Sequence, residues 1–411
     1  MPQDKKLFTP ASIGPVTLRN RTIRSAAFEG MGKNNNPTQA LKDYHVSVAK
    51  GGVGMTTVAY AGICRSALSF DSQLWLRPEI VSPLREITDE VHANGAKASI
   101  QIGHCGNMTH MATAGCIPVG ASSGLNLYSP TIVRGLRKEE IKDLAKKFGE
   151  AVGIARDAGF DCVEVHAGHG YLISQFLSPY TNHRHDEYGG NLQNRMKFMQ
   201  ECMEQVMKAA GSDMGVLVKV NMNDGFKSGL QEEDCIKVAL ELEKSGAHAL
   251  VLSGGFVSKA PMYVMRGKMP IYTMTHYMDQ LWLKYAVRMF GDLMVPKHEF
   301  KPLYFLQQAR LFREALKMPL VYVGGVTSRK DADRIIDEEG FEFLQMGRAL
   351  LNDPGFVNKM KADDCYKSGC DHVNYCIARM YSRDMACYQH TPDLPKGINK
   401  EINQILQRNG K

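Results

Sequence analysis

Eight short runs rich in β-branched and apolar residues recur along the chain, and their repetition limits the available folds more than any other feature. They are RSAAF (24–28), GMTTVAY (54–60), KASIQIGH (97–104), CVEVHA (162–167), GVLVKVN (215–221), HALVLSGG (248–255), LVYVGG (320–325) and FEFLQMG (341–347). Between them lie segments with helical apolar spacing, such as 138–159 and 231–246, each closing on a glycine. Repeated strand–helix units predict a parallel sheet. Eight of them most simply close into an α/β (β/α)8 TIM barrel, and a doubly wound open sheet is the competing arrangement. Two connections are too long for plain loops: 105–137, rich in Gly, Ser and Thr, and 256–300, with seven methionines and Trp282. Insertions on the strand-to-helix side of a barrel shape the mouth of its site, so both are expected to be lids on a barrel spanning 1–363. For 256–300 an interface or an extra packing layer is equally compatible, because Met-rich surfaces are adaptable contacts. Residues 364–411 read as a cysteine-containing extension packed on the barrel.

Composition narrows the function classes. A chain of 411 residues, 44% of them hydrophobic, can bury a large core. The net charge of +7 suits an anionic cofactor or substrate, but no dense basic run tracks nucleic acid. The first residues have no apolar core like that of a signal peptide, and no segment offers about 18 uninterrupted apolar residues. A soluble, cytoplasmic protein with no membrane or nucleic-acid partner is expected, with a homo-oligomer left open. The ten cysteines fit thiols: six are scattered singly, and Cys365, Cys370, Cys376 and Cys387 crowd the C-terminal end.

The stretch HAGHGY holds the main chemical candidates. His166 falls at the C-terminal end of the fourth run, where barrel enzymes place catalytic side chains, and His169 and Tyr171 follow in the next loop. A zinc site would want a helical HExxH or a third ligand at recognisable spacing; here glycines stand where that helix would continue, so no metal is expected. A bare pair of histidines is more often structural, and only the strand-end position favours function.

The run AGFDCVEVHAGHGYLISQFLSPYTNHRHDEYGGNLQNRMKF (158–198) resembles the signature of the old yellow enzyme family, flavin-dependent ene-reductases built on an FMN-binding (β/α)8 barrel. Further likeness runs in order from LFTPASIGPVTLRNR (7–21) through SIQIGH (99–104) and LVYVGG to MGRALLNDP (346–354). The extra domains that some relatives carry are not expected in a chain of this length. The resemblance implies FMN, with NADH or NADPH as hydride donor and an α,β-unsaturated carbonyl compound as substrate. It assigns Gly324, Gly325, Gly347 and Arg348 to the FMN phosphate, and Gln101 to the polar edge of the isoalloxazine. Ala26, Ala27 and Phe28, at the end of the first strand, and Tyr60, at the end of the second, are placed against the flavin. His166 and His169 would bind the substrate carbonyl and Tyr171 would protonate its α-carbon.

The chain departs from the family at two flavin positions. Lys219 stands where many relatives have an arginine facing N1 and O2 of the flavin, keeping the charge without the planar fork. Phe28 stands where several have a small cysteine or threonine. The C-terminal CDHVNYC (370–376) with Cys387 resembles the cysteine cluster of dienoyl-CoA reductase relatives, but Val373 occupies one cysteine position. Cys365 could in principle substitute; otherwise the stretch is a remnant packed on the barrel. Rival readings are a flavin-dependent amine dehydrogenase or N-demethylase, a 2,4-dienoyl-CoA reductase-like enzyme, and a flavin-binding protein without catalysis. Paired histidines suit a cationic amine poorly.

Overall fold

The computed structural model describes residues 6–126, 131–278 and 281–409. Eight strands close into a barrel in chain order: Thr22–Arg24, Met55–Gly62, Lys97–Gly103, Cys162–His166, Gly215–Asn221, Ala249–Ser253, Leu320–Val323 and Phe343–Met346. Every neighbouring pair is parallel, and the last strand pairs with the first, so the open sheet is excluded. The first strand differs from the sequence expectation. It stops at Arg24, and Ala26, Ala27 and Phe28 lie in the loop beyond it, because the Arg24 side chain bends back and donates to the Ala27 carbonyl at 3.1 Å.

The strands sort their side chains by a period of two. Val163, Val165, Val216 and Val218 join the layer packed beneath the helices. Cys162 and Leu217 point the other way, into a barrel-interior cluster with Ile23, Met55, Val251, Val321 and Phe343. The hairpin of Ala11–Ile13 and Val16–Leu18 plugs the N-terminal end through Ile13, Val16 and Leu18. Following the same parity upward, the interior column turns from Cys162 to Glu164 and His166, and from Leu217 to Lys219 and Asn221. Polar groups therefore collect at the C-terminal end of the barrel.

The helices start where sequence chemistry dictates. Thr38 and Asn191 accept from backbone N–H groups at the starts of Gln39–Lys50 and Leu192–Ala210, and Glu140 folds back to the Arg137 N–H at the start of Lys138–Asp157. The insertion at 105–137 forms a short helix, Met111–Ala114, and a small three-stranded sheet. The one at 256–300 forms helices Pro261–Met265, Ile271–His276 and Leu281–Met294.

The C-terminal extension packs on this second insertion and also on the barrel's own loops and helices, where the Met385 N–H bonds the Glu29 carbonyl, the Ser368 N–H the Thr327 carbonyl and His390 Nε2 the Asn352 carbonyl. Helix Lys396–Arg408 buries Ile398, Ile402 and Ile405, a stripe at helical spacing, in a cluster that Tyr272 and Tyr277 of the insertion border. The Glu401 carboxylate accepts from the backbone N–H groups of Tyr272 and Thr273 and from the Thr273 hydroxyl, each at 2.8 Å, closing the N-terminus of Ile271–His276. Ile402→Ala is expected to cost about 2–5 kcal/mol of local stability, seen as an earlier onset of thermal unfolding and faster tryptic cleavage at Lys396 and Lys400. Unchanged digestion would show that this stripe does not hold the extension.

Candidate active site

The register of the barrel builds the floor of the site. Gln101 lies beside Glu164, and Lys219 beside His166. Glu164 is wholly buried, so its carboxylate is tolerable only with partners. It has three: Lys219 Nζ at 2.8 Å and Gln101 Nε2 at 2.6 Å on one oxygen, and Gln345 Nε2 at 2.7 Å on the other. Because the amide N–H groups of both glutamines meet the carboxylate, their carbonyl oxygens are turned elsewhere, and Gln345 Oε1 is buried without a partner. Burial pushes the Lys219 ammonium below its ordinary value, opposed by the charge of Glu164. Sequence reasoning found Gln101 and Lys219 but missed Glu164 and Gln345. The available signal was an acid in the middle of the otherwise apolar CVEVH.

A second buried pair shapes the loop after the first strand. Arg24 Nη1 donates to Glu29 at 2.5 Å and to the Thr57 carbonyl at 2.7 Å, while Glu29 also accepts from the Ala59 N–H at 3.2 Å. Residues 25–28 are pinned between these contacts, and the Ala26 carbonyl turns toward Lys219 Nζ at 3.5 Å. Phe28 stacks on Phe70, centroids 4.8 Å apart, and Phe70 meets the edge of Tyr381 from the C-terminal extension. With Met108 and Met380 these rings make up an apolar part of the lining of the cavity that Gln101, Lys219 and Gln345 also line.

His166, His169 and Tyr171 converge on that cavity. The His166 ring lies 5.1 Å from that of His169 and 4.4 Å from that of Tyr171, and Tyr60 closes on His166 and Tyr171 edge-on. His169 sits at φ +60°, an uncommon conformation for a side chain of this size. Asn221 Oδ1 holds its N–H at 2.9 Å, and its carbonyl accepts from Val257 at 3.0 Å. Gly170 follows at φ +81°, where a Cβ would stand 2.5 Å from the Phe256 ring, so only glycine fits there.

Both imidazoles are held neutral. Burial, then the charges of His169 and Lys219, pushes His166 well below its ordinary value; burial and Lys219 push His169 down to about 3. His169 Nε2 is 2.7 Å from the Ser253 hydroxyl, and the Gly168 N–H makes a long 3.5 Å contact to His166 Nδ1. That contact favours the His166 tautomer with its proton on Nε2. Burial also raises the Tyr171 hydroxyl. Ser253, at the end of the sixth strand, is another functional candidate that sequence reasoning missed; an isolated serine before two glycines gave no distinctive signal.

The far end of the cavity suits a phosphate. Gly324 (φ +140°) and Gly325 (φ +78°) end the seventh strand against Phe305 and Tyr304, too closely for any Cβ. At Gly347 a Cβ would meet only open space. Arg348 lines the same end, its Nη1 donating to Asn374 Oδ1 at 2.7 Å. Asn374 in turn donates to the carbonyls of Arg266 and Lys268, tying extension, insertion and barrel together. Glycine-lined space, a cation and an orphaned amide carbonyl are a donor and acceptor set that fits FMN.

The terminal cysteines do not fit a four-thiolate cluster. Cys370, Cys376 and Cys387 line one small pocket beside Arg348, with Val373 among them. Val373 is 4% exposed and packs with Tyr375 and the isoleucine stripe. Cys365 is exposed at the surface and does not line that pocket, so it does not supply the missing ligand.

Comparison with known proteins agrees with this architecture. The family model for the NADH:flavin oxidoreductase / NADH oxidase family matches residues 6–289. A 4,4'-dithiodibutanoate disulfide reductase of Rhodococcus erythropolis is 37% identical over 377 residues, covering 92% of this chain and 93% of that protein. An NADPH dehydrogenase of Bacillus subtilis is 28% identical, over 86% of this chain and 93% of its own length. An old yellow enzyme homologue from Zymomonas mobilis superposes with a TM-score of 0.71 at 23% identity, over 95% of this chain and 99% of that one. Some relatives are longer: the chain spans 58% of a 2-naphthoyl-CoA reductase structure, with a TM-score of 0.80 at 21% identity. The chain belongs to the NADH:flavin oxidoreductase / NADH oxidase family, that of the old yellow enzymes, and is an FMN-dependent NAD(P)H oxidoreductase.

Proposed function

We propose that the protein reduces the activated C=C bond of α,β-unsaturated carbonyl compounds at the expense of NADH or NADPH. The observation that carries this reading is the convergence of two neutral imidazoles and one protonated phenol on a single cavity. FMN, when bound, supplies the two-electron carrier between NAD(P)H and the substrate. Gly324, Gly325, Gly347 and Arg348 hold its phosphate; the Gln101 carbonyl and Lys219 serve its polar ring edge; Ala26, Ala27, Phe28 and Tyr60 pack its ring.

His166 and His169 each donate one N–H to the carbonyl oxygen of the substrate. As the β-carbon gains hydride, negative charge moves to that oxygen, and the two donors stabilise it without a proton having to move first. A rotatable Ser253 hydroxyl donates to His169 Nε2, which leaves the His169 proton on Nδ1. Tyr171 Oη gives its proton to the α-carbon. Its raised pKa keeps that proton in place at neutral pH.

A second reading, reductive cleavage of organic disulfides, is favoured by the Rhodococcus relative. The apolar part of the cavity lining speaks against a dianionic disulfide. It is built from Phe28, Phe70, Met108, Met380 and Tyr381, while Arg24 and Lys219 are already paired with Glu29 and Glu164 and Arg348 is assigned to the FMN phosphate. A carboxylate set against these apolar side chains would lose solvent without gaining a partner from them. Anaerobic NAD(P)H consumption with cyclohexenone, with 4,4'-dithiodibutanoate and with a methylated amine separates the readings. Turnover of the disulfide alone would overturn the enone assignment.

The double variant His166→Ala, His169→Ala is expected to lose about 10² to 10³ in enone reduction while keeping its flavin absorbance. Tyr171→Phe is expected to impair enones that need protonation at carbon and to leave phenol binding largely intact. Enone turnover of the double variant at the parental rate would make the pair structural.

The pH profile follows from the same groups. His169 gains a second proton only near pH 3 and His166 well below its ordinary value, whereas Tyr171 loses its proton only above its ordinary value. The hydride-transfer step to an enone, followed by stopped flow, is therefore expected to be flat between about pH 5 and 9. An inflection at the ordinary histidine value of about 6.5 would show an imidazole that titrates freely.

Glu164→Gln keeps the shape but removes the charge that holds Lys219. The variant is expected to bind FMN more weakly and to shift its reduction potential, read by fluorescence titration and dye-coupled photoreduction. Parental values for both would mean that Glu164 merely fills the barrel.

A further inference from the structure

Helix Leu281–Met294 is amphipathic in the wrong direction for a surface helix. Its exposed residues include Leu281, Trp282, Tyr285, Met289, Phe290 and Leu293, from 50% to 84% accessible. The spacing 281, 285, 289, 293, with 282 and 290 alongside, puts them on one side. Of the thirteen exposed large apolar side chains among the described residues, six belong to this one helix.

Its charged residues are engaged elsewhere. Lys284 Nζ donates to the His276 carbonyl at 3.0 Å; Arg288 Nε donates to Thr275 Oγ1 at 2.9 Å and its guanidinium lies over the Tyr272 ring. Val287 packs on the insertion's apolar cluster and Gly291 lies against Ile271. Asp292, on the rim, pairs with Lys268 at 2.9 Å.

We propose that this face is the contact between two copies of the chain, paired about a two-fold axis through Leu281–Met294. The extent of the surface is the first argument. Six side chains of this size, half or more exposed, present on the order of 800 Å², the share one partner contributes to a standard interface and more than the few hundred Å² a monomer ordinarily leaves open. Charge is the second. A helix lying on a membrane carries Lys and Arg on its polar side to meet headgroups, whereas Lys284 and Arg288 are bonded into the fold and the rim carries an acid. A face whose one acid, Asp292, is already paired with Lys268 also offers little electrostatic code for a different protein. A single apolar patch that meets its own copy needs no second complementary surface, which is the logic of the two-fold dimer.

The pairing also bears on the cavity. The inner side of this helix rests on Ile271–His276, where the extension that brings Tyr381 and Met380 to the apolar wall is seated. Covering the outer side braces that stack from behind.

Sedimentation velocity of the FMN-loaded protein at micromolar concentration tests the proposal. The parent is expected at twice 45.7 kDa, and the variant Trp282→Glu, Met289→Glu, Leu293→Glu at the monomer mass with its flavin absorbance retained. Should that variant misfold, Met289→Cys on the parental face replaces it: the cysteine lies near the middle of the helix, and mild oxidation is expected to cross-link two copies, compared with the parent because Cys116 and Cys365 are also exposed. A parent that sediments as a monomer, a triple-glutamate variant that keeps the parental mass, no cross-link beyond the parental background, or a monomer that floats with phosphatidylcholine vesicles would each overturn it.

Discussion

One buried carboxylate organises the end of the barrel where the polar groups gather. Glu164 sits in the interior column directly above the last apolar layer, with no solvent to pay for its charge, so the fold must bring it donors. They come from the third, fifth and eighth strands as Gln101, Lys219 and Gln345, and the carboxylate on the fourth strand therefore fixes four strands relative to one another. Removing Glu164 would leave the Lys219 ammonium buried without its counter-charge, and removing Lys219 would do the same to the carboxylate, either a costlier change than loss of a surface ion pair. The same contacts decide which atoms face the cavity, since amides that give their N–H groups to Glu164 must turn their carbonyls away from it.

The cavity has two sources. Barrel strands and the loops at their ends contribute most of its polar side, with Gln101, His166, Lys219, Ser253 and Gln345 on the strands themselves. The apolar wall comes from elsewhere: Phe28 and Phe70 lie in loops, Met108 in the first insertion, Met380 and Tyr381 in the C-terminal extension. Chemistry is thus carried by the closed, parallel part of the fold, whose geometry hydrogen bonding fixes, and shape by parts packed on it through side chains. Asn374 joins the two, bonding Arg348 at the eighth strand's end and the backbone of the second insertion at once.

Legibility in the sequence followed the same division. All eight strands were readable because each buried run has to be apolar for several residues in succession, and closure in chain order follows from right-handed strand–helix units. The set His166, His169 and Tyr171 was readable from its place after the fourth strand, and it is brought to one cavity. Ala26 to Phe28 were misplaced by a few residues, because the strand is ended by the buried Arg24–Glu29 pair, and nothing local to RSAAF announces a partner five residues on. Glu164 and Gln345 were missed for a related reason: their partners lie on strands far away in sequence, and only barrel register, for Gln101, and contact across the closed interior, for Gln345, bring them together. The seat of the extension on the second insertion depends on a carboxylate at Glu401 meeting a helix start some 130 residues earlier, a contact that periodicity does not encode.

Charge in the site is arranged as a sequence of dependencies. Glu164 opposes the push of burial on Lys219, favouring its charged form. Lys219 is paired in register with His166, and its field adds to burial in pushing both His166 and His169 down. Two imidazoles this close would repel if both were protonated, and a neighbouring ammonium makes even one proton unfavourable. The pair therefore stands ready as neutral donors, each able to give one N–H to an oxygen and neither bringing a positive charge that a ground-state anion could capture. A site built this way discriminates by where negative charge develops during reaction more than by charge already present on the substrate. That preference, together with the aromatic and methionine part of the lining, supports the proposed neutral carbonyl substrate over an anionic one.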